Sequence, residues 1–321
     1  MLKFVIRRIL IMIPQLLILS ILIFALAKAM PGDALTGRSI NPKANPQEIE
    51  KIREEMGLND PAYVQYYHWI KNVAKGDFGV SYTHKINVVD VIGDRIGNTV
   101  LLAFCVFLVT YLLAIPLGII SGRYNDTWAD KLITGYNYLG FATPLFIFGI
   151  VMLFVFGFYF DLFPTGGSVD PQIADGTFAY YVSKLDHLVL PTLSGALIST
   201  VGISQYLRSE IIDTKVKDFV RTARSKGVPE SKVYSRHILR NSFLPIAAFL
   251  GYEITGLIAG SVFLESIFGY PGIGQLFVKS VMLRDFTVVN ALVLMTCLAT
   301  LFGTLISDII LSIVDPRIRI E

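Results

Sequence analysis

The sequence predicts an all-α polytopic membrane protein with six transmembrane helices, a small helical cap on the outer side and a basic helical loop on the cytoplasmic side. Three observations predict it. Hydrophobic residues make up 53% of the 321 positions and charged residues 17%, against about 25% charged in an ordinary soluble domain. The apolar residues fall in six continuous blocks, each at least as long as the roughly 20 residues that cross about 30 Å of hydrocarbon. Lysine and arginine gather in the short connections on one side of the blocks, as the positive-inside bias requires, while the long segment 30–98 carries mixed charge and segments that long cross largely regardless of it. The blocks are continuous rather than alternating, so helices are favoured over a closed barrel, the other structure that satisfies its backbone in lipid.

The blocks run over residues 9–29, 99–121, 132–160, 187–207, 243–264 and 286–313. Pro14, Pro116, Pro144, Pro191 and Pro245 lie inside or at the ends of them; neighbouring groups can satisfy the freed carbonyls in a membrane helix. The third block is longer than a span needs. Tilt accommodates the excess most simply, with a bend at Pro144 as the alternative. The first block has a basic start (Lys3, Arg7, Arg8), but its apolar run exceeds a signal-peptide core of about 7–15 residues, so it reads as a retained helix.

Orientation follows from the basic residues. With the N-terminus inside, the inner segments hold Lys3, Arg7, Arg8, Arg123, Lys131, nine basic residues from Arg208 to Arg240, and Arg317 and Arg319. The outer connection between the third and fourth blocks holds Lys184 alone. Six crossings put both termini in the cytoplasm. The chain therefore divides into residues 1–30 (cytoplasmic N-terminus and first helix), an extracytoplasmic segment 31–98, a five-helix core 99–315 that includes the loop 208–241, and a cytoplasmic tail 316–321. The net charge of +3 fits membrane orientation and does not suggest nucleic-acid binding.

Catalytic and metal chemistry find no support. Cys105 and Cys297 sit in apolar blocks and read as small buried hydrophobes. His68, His84, His187 and His237 lack metal-ligand spacing. No nucleophile elbow is present. No Gly-x-x-x-x-Gly-Lys-Ser/Thr phosphate loop is present either, and Gly269-Tyr-Pro-Gly-Ile-Gly274 lacks the Lys-Ser/Thr pair. That run reads as a turn or re-entrant element at the outer mouth, formed by Glu265, Phe268, Pro271, Gly272 and Gly274. The chain is expected to be no enzyme and to bind no cofactor.

Two regions outside the lipid carry pattern. In the outer segment, residues 46–56 read as a short helix closed by Gly57, and residues 62–75 as a second with Tyr63, Tyr66, Trp69 and Val73 on its apolar side. Residues 76–82 are rich in turn formers, and residues 88–96 read as an amphipathic entry to the second block. In the cytoplasmic loop, residues 213–225 read as a helix with Phe219, Val220 and Ala223 as its apolar knob. Gly227 stands where a helix end favours a left-handed residue. Pro229 suits the first turn of a following helix, which runs through Val233 and Leu239 towards Pro245. Such an elbow is a basic amphipathic projection able to seat in a partner's groove.

Asp218-Phe-Val-Arg-Thr-Ala-Arg-Ser-Lys-Gly227 and Arg236-His-Ile-Leu-Arg-Asn-Ser-Phe-Leu-Pro245 resemble the coupling motif of bacterial ABC importer permeases. The Glu-Ala-Ala triplet of that motif is Arg221-Thr222-Ala223 here, a variant similar to the peptide and nickel branch. Pro31-Gly-Asp33, Gly57-Leu-Asn-Asp-Pro61, Gly76-Asp-Phe-Gly-Val-Ser81, Glu265 to Gly274, Arg284-Asp285, Asp308 and Asp315-Pro-Arg-Ile-Arg319 extend the resemblance to oligopeptide and dipeptide permeases over nearly the whole chain. The resemblance implies a second homologous permease, two cytoplasmic ATPase subunits that bind ATP and magnesium, an extracytoplasmic receptor, and a peptide substrate. It also implies that Arg221, Thr222, Ala223, Gly227, His237, Arg240, Asn241 and Pro245 couple the chain to the ATPases. Related permeases carry nickel or glutathione-like solutes, so those remain open, as do a secondary transporter and a membrane receptor. Glu253, mid-way along the fifth block, either lines the passage and meets a peptide amino terminus or bonds a neighbouring helix.

Overall fold

Several helices start directly after a proline (Pro61, Pro144, Pro229), a glycine (Gly272) or a short polar residue (Asn87, Thr127, Thr177, Ser261). The computed structural model describes residues 2–29, 51, 54, 59–243, 245–246, 256 and 261–314. Among these residues no strand forms; one isolated bridge pairs Val80 with Asn87.

Helix α1 (Leu2–Ala29) continues through Pro14 and leaves Ile6, Leu10, Ile13, Leu17 and Ile21 uncovered, as a lipid-facing helix does. Helix α2 (Ala62–Val73) begins after Pro61 and leans on α1 through a ring cluster of Phe24, Tyr66 and Trp69. The Tyr66 hydroxyl also lies 2.8 Å from Ser20 Oγ. Tyr63, expected on the packed side, is 75% exposed: contact with α1 centres on that ring cluster, and the first turn of α2 projects clear of it. The expected helix over residues 46–56 falls almost wholly outside the described residues, as do Pro31-Gly-Asp33 and Asp315-Pro-Arg-Ile-Arg319.

Helix α3 (Val88–Arg123) joins the expected amphipathic entry and the second block into one 36-residue rod, about 54 Å long. It packs along α6 (Phe178–Lys215) in the most extensive helix pair of the fold. Gly118 and Gly122 permit this approach. A Cβ at either would stand 2.9 Å from Leu207 or 2.8 Å from Ile211 of α6.

The third block is not one tilted span. Helix α4 (Trp128–Ala142) ends at Thr143, and α5 (Leu145–Met152, continuing as a π-helical stretch Leu153–Tyr159) starts after Pro144. The two meet at 102°. Pro144 has no N–H to give the preceding turn, and its ring disfavours a helical conformation at Thr143. The bend at Pro144 therefore replaces the tilt that length alone suggested.

After α6 come α7 (Asp218–Ser225) and α8, which begins as Glu230–Lys232, passes through a π-helical stretch Val233–Leu239 and ends as Arg240–Ser242. Helices α9 (Val262–Ile267), α10 (Ile273–Met282) and α11 (Phe286–Val314) complete the described chain. Helix α11 returns to α1, where Arg8 and Asp308 form an ion pair at 3.1 Å. Among the described residues, four helices are long and apolar enough to cross a membrane, and the bent pair makes a fifth candidate. Most of the fifth block, residues 243–264, lies outside the described residues. Cys105 and Cys297 are half-buried thiols.

Candidate functional site: two glycine-turned elbows

The basic loop folds as an elbow, α7–turn–α8. Helix α7 starts one break later than the sequence suggested, because α6 runs on to Lys215. At its C-terminus, Gly227 adopts φ +72°. Its N–H donates to the Arg224 carbonyl at 2.9 Å, and Val228 N–H donates to the Ala223 carbonyl at 3.2 Å. These two bonds are the Schellman arrangement, completed by contact between the apolar residues flanking it. Pro229 stands at the N-cap of α8, one position before the expected first turn. Across the turn, Arg224 and Glu230 pair at 2.7 and 3.1 Å, and the guanidinium holds the Glu230 carboxyl below the usual carboxylate range. Both partners are largely exposed, so the pair adds little stability.

The elbow has a dry side and a wet side. Val220 and Ala223 are buried with Leu207 and Ile211 of α6, Val233, Tyr234 and Ile238 of α8, and Ile246. Phe219, expected in the knob, is 39% exposed. The Tyr234 phenol is pushed up to about 12 by burial, against the opposing pull of Arg123, whose guanidinium lies 4.7 Å from the ring centre. Of the residues singled out by sequence, Arg221, Thr222, Gly227 and Arg240 are exposed, while Ala223 faces inward. His237, Asn241 and Pro245 are half-buried; Asn241 Nδ2 donates to the His237 carbonyl at 2.6 Å. The two halves of the motif are thus brought together on one elbow.

The second elbow, α9–turn–α10, is built the same way. Gly269 has φ +55°, Tyr270 N–H donates to the Glu265 carbonyl at 2.8 Å, and Gly269 N–H donates to Ser266 at 3.4 Å. Glu265 is fully buried. Its carboxylate takes the Thr99 hydroxyl at 2.9 Å and Gln275 N–H at 3.0 Å, with Gly274 N–H also directed at it. Thr99 Oγ1 in turn accepts from Ile273 N–H at 2.7 Å. The first three orphan N–H groups of α10 are thereby satisfied by side chains of α3 and α9, and the carboxylate sits at the positive end of the helix. A Cβ on Gly272 would overlap the Glu265 carboxylate, and one on Gly274 would lie 2.8 Å from Val262 Cα. Phe268 is buried with Leu102, Leu188 and Tyr270. The Pro271 carbonyl accepts from Asn98 Nδ2 at 3.1 Å. Every residue of the predicted mouth element thus lies in one cluster.

Asp285, at the start of α11, anchors the turn-rich strip. Its carboxylate accepts from Ser81 Oγ at 2.5 Å, Thr83 N–H at 3.0 Å and Tyr82 N–H at 3.3 Å. Asp285→Ala is expected to cost about 2–4 kcal/mol, since it strands buried donors. It should lower the thermal midpoint in detergent and speed proteolysis within residues 76–87.

Between α3, α5, α6 and α9 lies a cavity of about 220 Å³, lined by Thr99, Leu102, Val106, Thr110, Ser199 and Leu264 among others. The Thr110 hydroxyl, buried against it, has no partner among the described residues. Glu253, the other candidate for a passage, lies outside the described residues.

Sequence reasoning passed over Thr99 and Asp130. Each binds a partner far along the chain: Thr99 meets Glu265, and Asp130 meets Arg208. No local pattern marks either.

Comparison with known proteins agrees with the geometry. Residues 114–320 match the family described as "Binding-protein-dependent transport system inner membrane component". Residues 1–103 match "Binding-prot-dependent transport system membrane comp, N-term". The chain is 38% identical over 320 residues to the oligopeptide transport system permease protein AppB of Bacillus subtilis (strain 168), covering 99% of this chain and 100% of that one. It is 33% identical over 321 residues to the glutathione transport system permease protein GsiC of Escherichia coli (strain K12), covering 99% of each. With both matches spanning nearly its whole length, the chain belongs to the family of inner-membrane components of binding-protein-dependent transport systems.

Proposed function

We propose that this chain is a permease subunit of an ATP-binding-cassette importer for di- or oligopeptides and forms half of the translocation pathway. The observation that carries the proposal is the α7–α8 elbow, buried on one side and exposed on the other at Arg221, Thr222, Gly227 and Arg240. Two ATPase subunits, which hold ATP and magnesium, seat on these elbows, one on this chain and one on a second homologous permease. The distribution of basic residues supports a cytoplasmic position for the elbow and both termini. The α9–α10 elbow then lies at the outer mouth, where a receptor delivers substrate. Both relatives carry peptide cargo in their names, since glutathione is chemically a tripeptide, and this favours a peptide over nickel. The cavity beside Thr110 and Ser199 supplies hydroxyls within apolar walls, which suits a peptide whose side chains vary.

Motion follows from a shift in population between inward-open and outward-open states, which a ligand biases only through contacts that differ between them. Affinity purification of the tagged chain from native membranes in mild detergent tests the assignment. Recovery of two ATPases, a second permease and a receptor is expected. Recovery of the chain alone, or as a homodimer, would overturn it in favour of a secondary transporter.

A further inference from the structure

Helix α4 enters the fold on a buried carboxylate. Asp130, in its first turn and 3% exposed, gathers five donors. Arg208 of α6 supplies Nε at 2.7 Å and Nη2 at 2.8 Å, and Asp126 supplies its N–H at 2.8 Å. Thr134 Oγ1 lies at 3.2 Å, and Ser121 Oγ at the end of α3 completes the set. The seam between α4 and α6 continues from there. Ser204 Oγ donates to Asn137 Oδ1 at 2.9 Å, and Asn137 Nδ2 donates to Gln205 Oε1 at 3.0 Å. Further along, the Tyr136 hydroxyl donates to the Leu197 carbonyl. The seam then stops, and within a few residues the chain turns through 102° at Thr143–Pro144. Beyond the turn, α5 packs against α6 and α9.

The same end of the seam is tied to the α7–α8 elbow. Lys215 Nζ donates to the Arg123 carbonyl and to Asn125 Oδ1, each at 2.8 Å. Arg123 lies over the Tyr234 ring, and Val220 and Ala223 share a core with Leu207 and Ile211. In an apolar surrounding each broken polar bond strands a group with no water to replace its partner. Sliding of α4 along α6 would break most of the seam at once. Bending at Thr143–Pro144 breaks few, because Pro144 has no N–H to lose.

We propose that Asp130 and Arg208 are positioning residues of the transport cycle. They join α4 to the elbow-bearing half of α6, so that α4 moves with the elbow as one body and the chain flexes at Thr143–Pro144. The proposal rests on the ATP-driven reading above.

The test uses the complete importer in vesicles, with Cys105 and Cys297 replaced by serine and radiolabelled trialanine as the probe. Asn137→Cys and Ser204→Cys are joined by oxidation and the yield of cross-link is measured. Uptake and ATP hydrolysis are expected to be the same in joined and reduced samples. Loss of uptake on joining, reversed by reduction, would show that α4 slides on α6 and would overturn the proposal. In parallel, Asp130→Asn keeps the shape and removes the charge. It is expected to lower peptide moved per ATP hydrolysed on the order of tenfold, and joining residues 137 and 204 in that background should restore the ratio. An unchanged ratio with less assembled complex means a structural role alone and overturns the proposal. Absence of ATP-dependent uptake in the unmutated complex overturns the importer reading itself, before any variant is compared.

Discussion

Gly227→Pro is expected to cut peptide uptake severely while leaving the chain inserted in the membrane. Gly227 holds φ +72°, and proline is locked near −65°. The substitution also removes the N–H that donates to Arg224 at 2.9 Å, leaving the end of α7 without one of its two closing bonds. The cost at the turn is about 3 kcal/mol or more, and it falls on the link that sets the direction of α8. Residues of both arms, Val220 and Ala223 on one and Val233, Tyr234 and Ile238 on the other, share a single core, so redirecting α8 unseats both. Uptake should fall by roughly two orders of magnitude, the rate equivalent of about 2.7 kcal/mol. ATP hydrolysis by the partner subunits should persist. Parallel assays of uptake and hydrolysis in vesicles check this; normal uptake would refute the elbow as the coupling element. Gly227→Ala provides the graded comparison. A Cβ there meets no atom within 4 Å, so the penalty is conformational alone, about 1–2 kcal/mol, and partial uptake should survive.

Gly272→Ala is expected to be nearly as damaging, for a steric reason. The new methyl would occupy the space of the Glu265 carboxylate. That carboxylate has nowhere to retreat, being fully buried and bonded to Thr99 and Gln275. Either it moves and uncaps α10, or α10 moves and loses its contact with α3. Overpacking and lost hydrogen bonds together amount to about 3–5 kcal/mol. The thermal midpoint in detergent should drop and uptake should fall with it. Glu265→Gln should be milder in volume but still harmful, because an amide N–H₂ cannot accept from the helix N–H groups. A variant with unchanged melting and uptake would show that the carboxylate is not the cap.

The membrane class and the cytoplasmic elbow were legible because their signals are local, whereas the outer run 269–274 was legible only as a turn or re-entrant element. Apolar blocks report span length directly, and Gly227 marks a left-handed helix end by residue type and position; the left-handed Gly269 emerged only in the structure. The bend at Thr143–Pro144 was half legible. Proline marked the place, but hydropathy is blind to direction, so a straight tilted helix satisfied the same residues. The exposure of Tyr63 and of Phe219 was not legible, because a helical stripe shows which residues share a face and not how far the neighbouring helix reaches along it. The Asp130–Arg208 seam was least legible of all. An aspartate in a first helical turn already has an ordinary explanation in the helix dipole, and its partner lies 78 residues away. The site residues clustered well where their motif was one short run, and escaped notice where the partner came from another helix.

The cap on α10 also dictates an order of manufacture. Thr99 and Glu265 are separated by 166 residues, so the ribosome must translate for roughly 10–30 s after Thr99 appears before its partner exists. During that interval the Thr99 hydroxyl waits in a helix already delivered to the bilayer. The first turn of α10 gains this cap only when α3 and α9 are both in position. The last fifth of the chain is therefore expected to assemble onto a finished template rather than to fold where it emerges. Nascent chains halted before Glu265 should still present an intact α3–α6 pair, while α10 would acquire its start only after the following segment has left the ribosome.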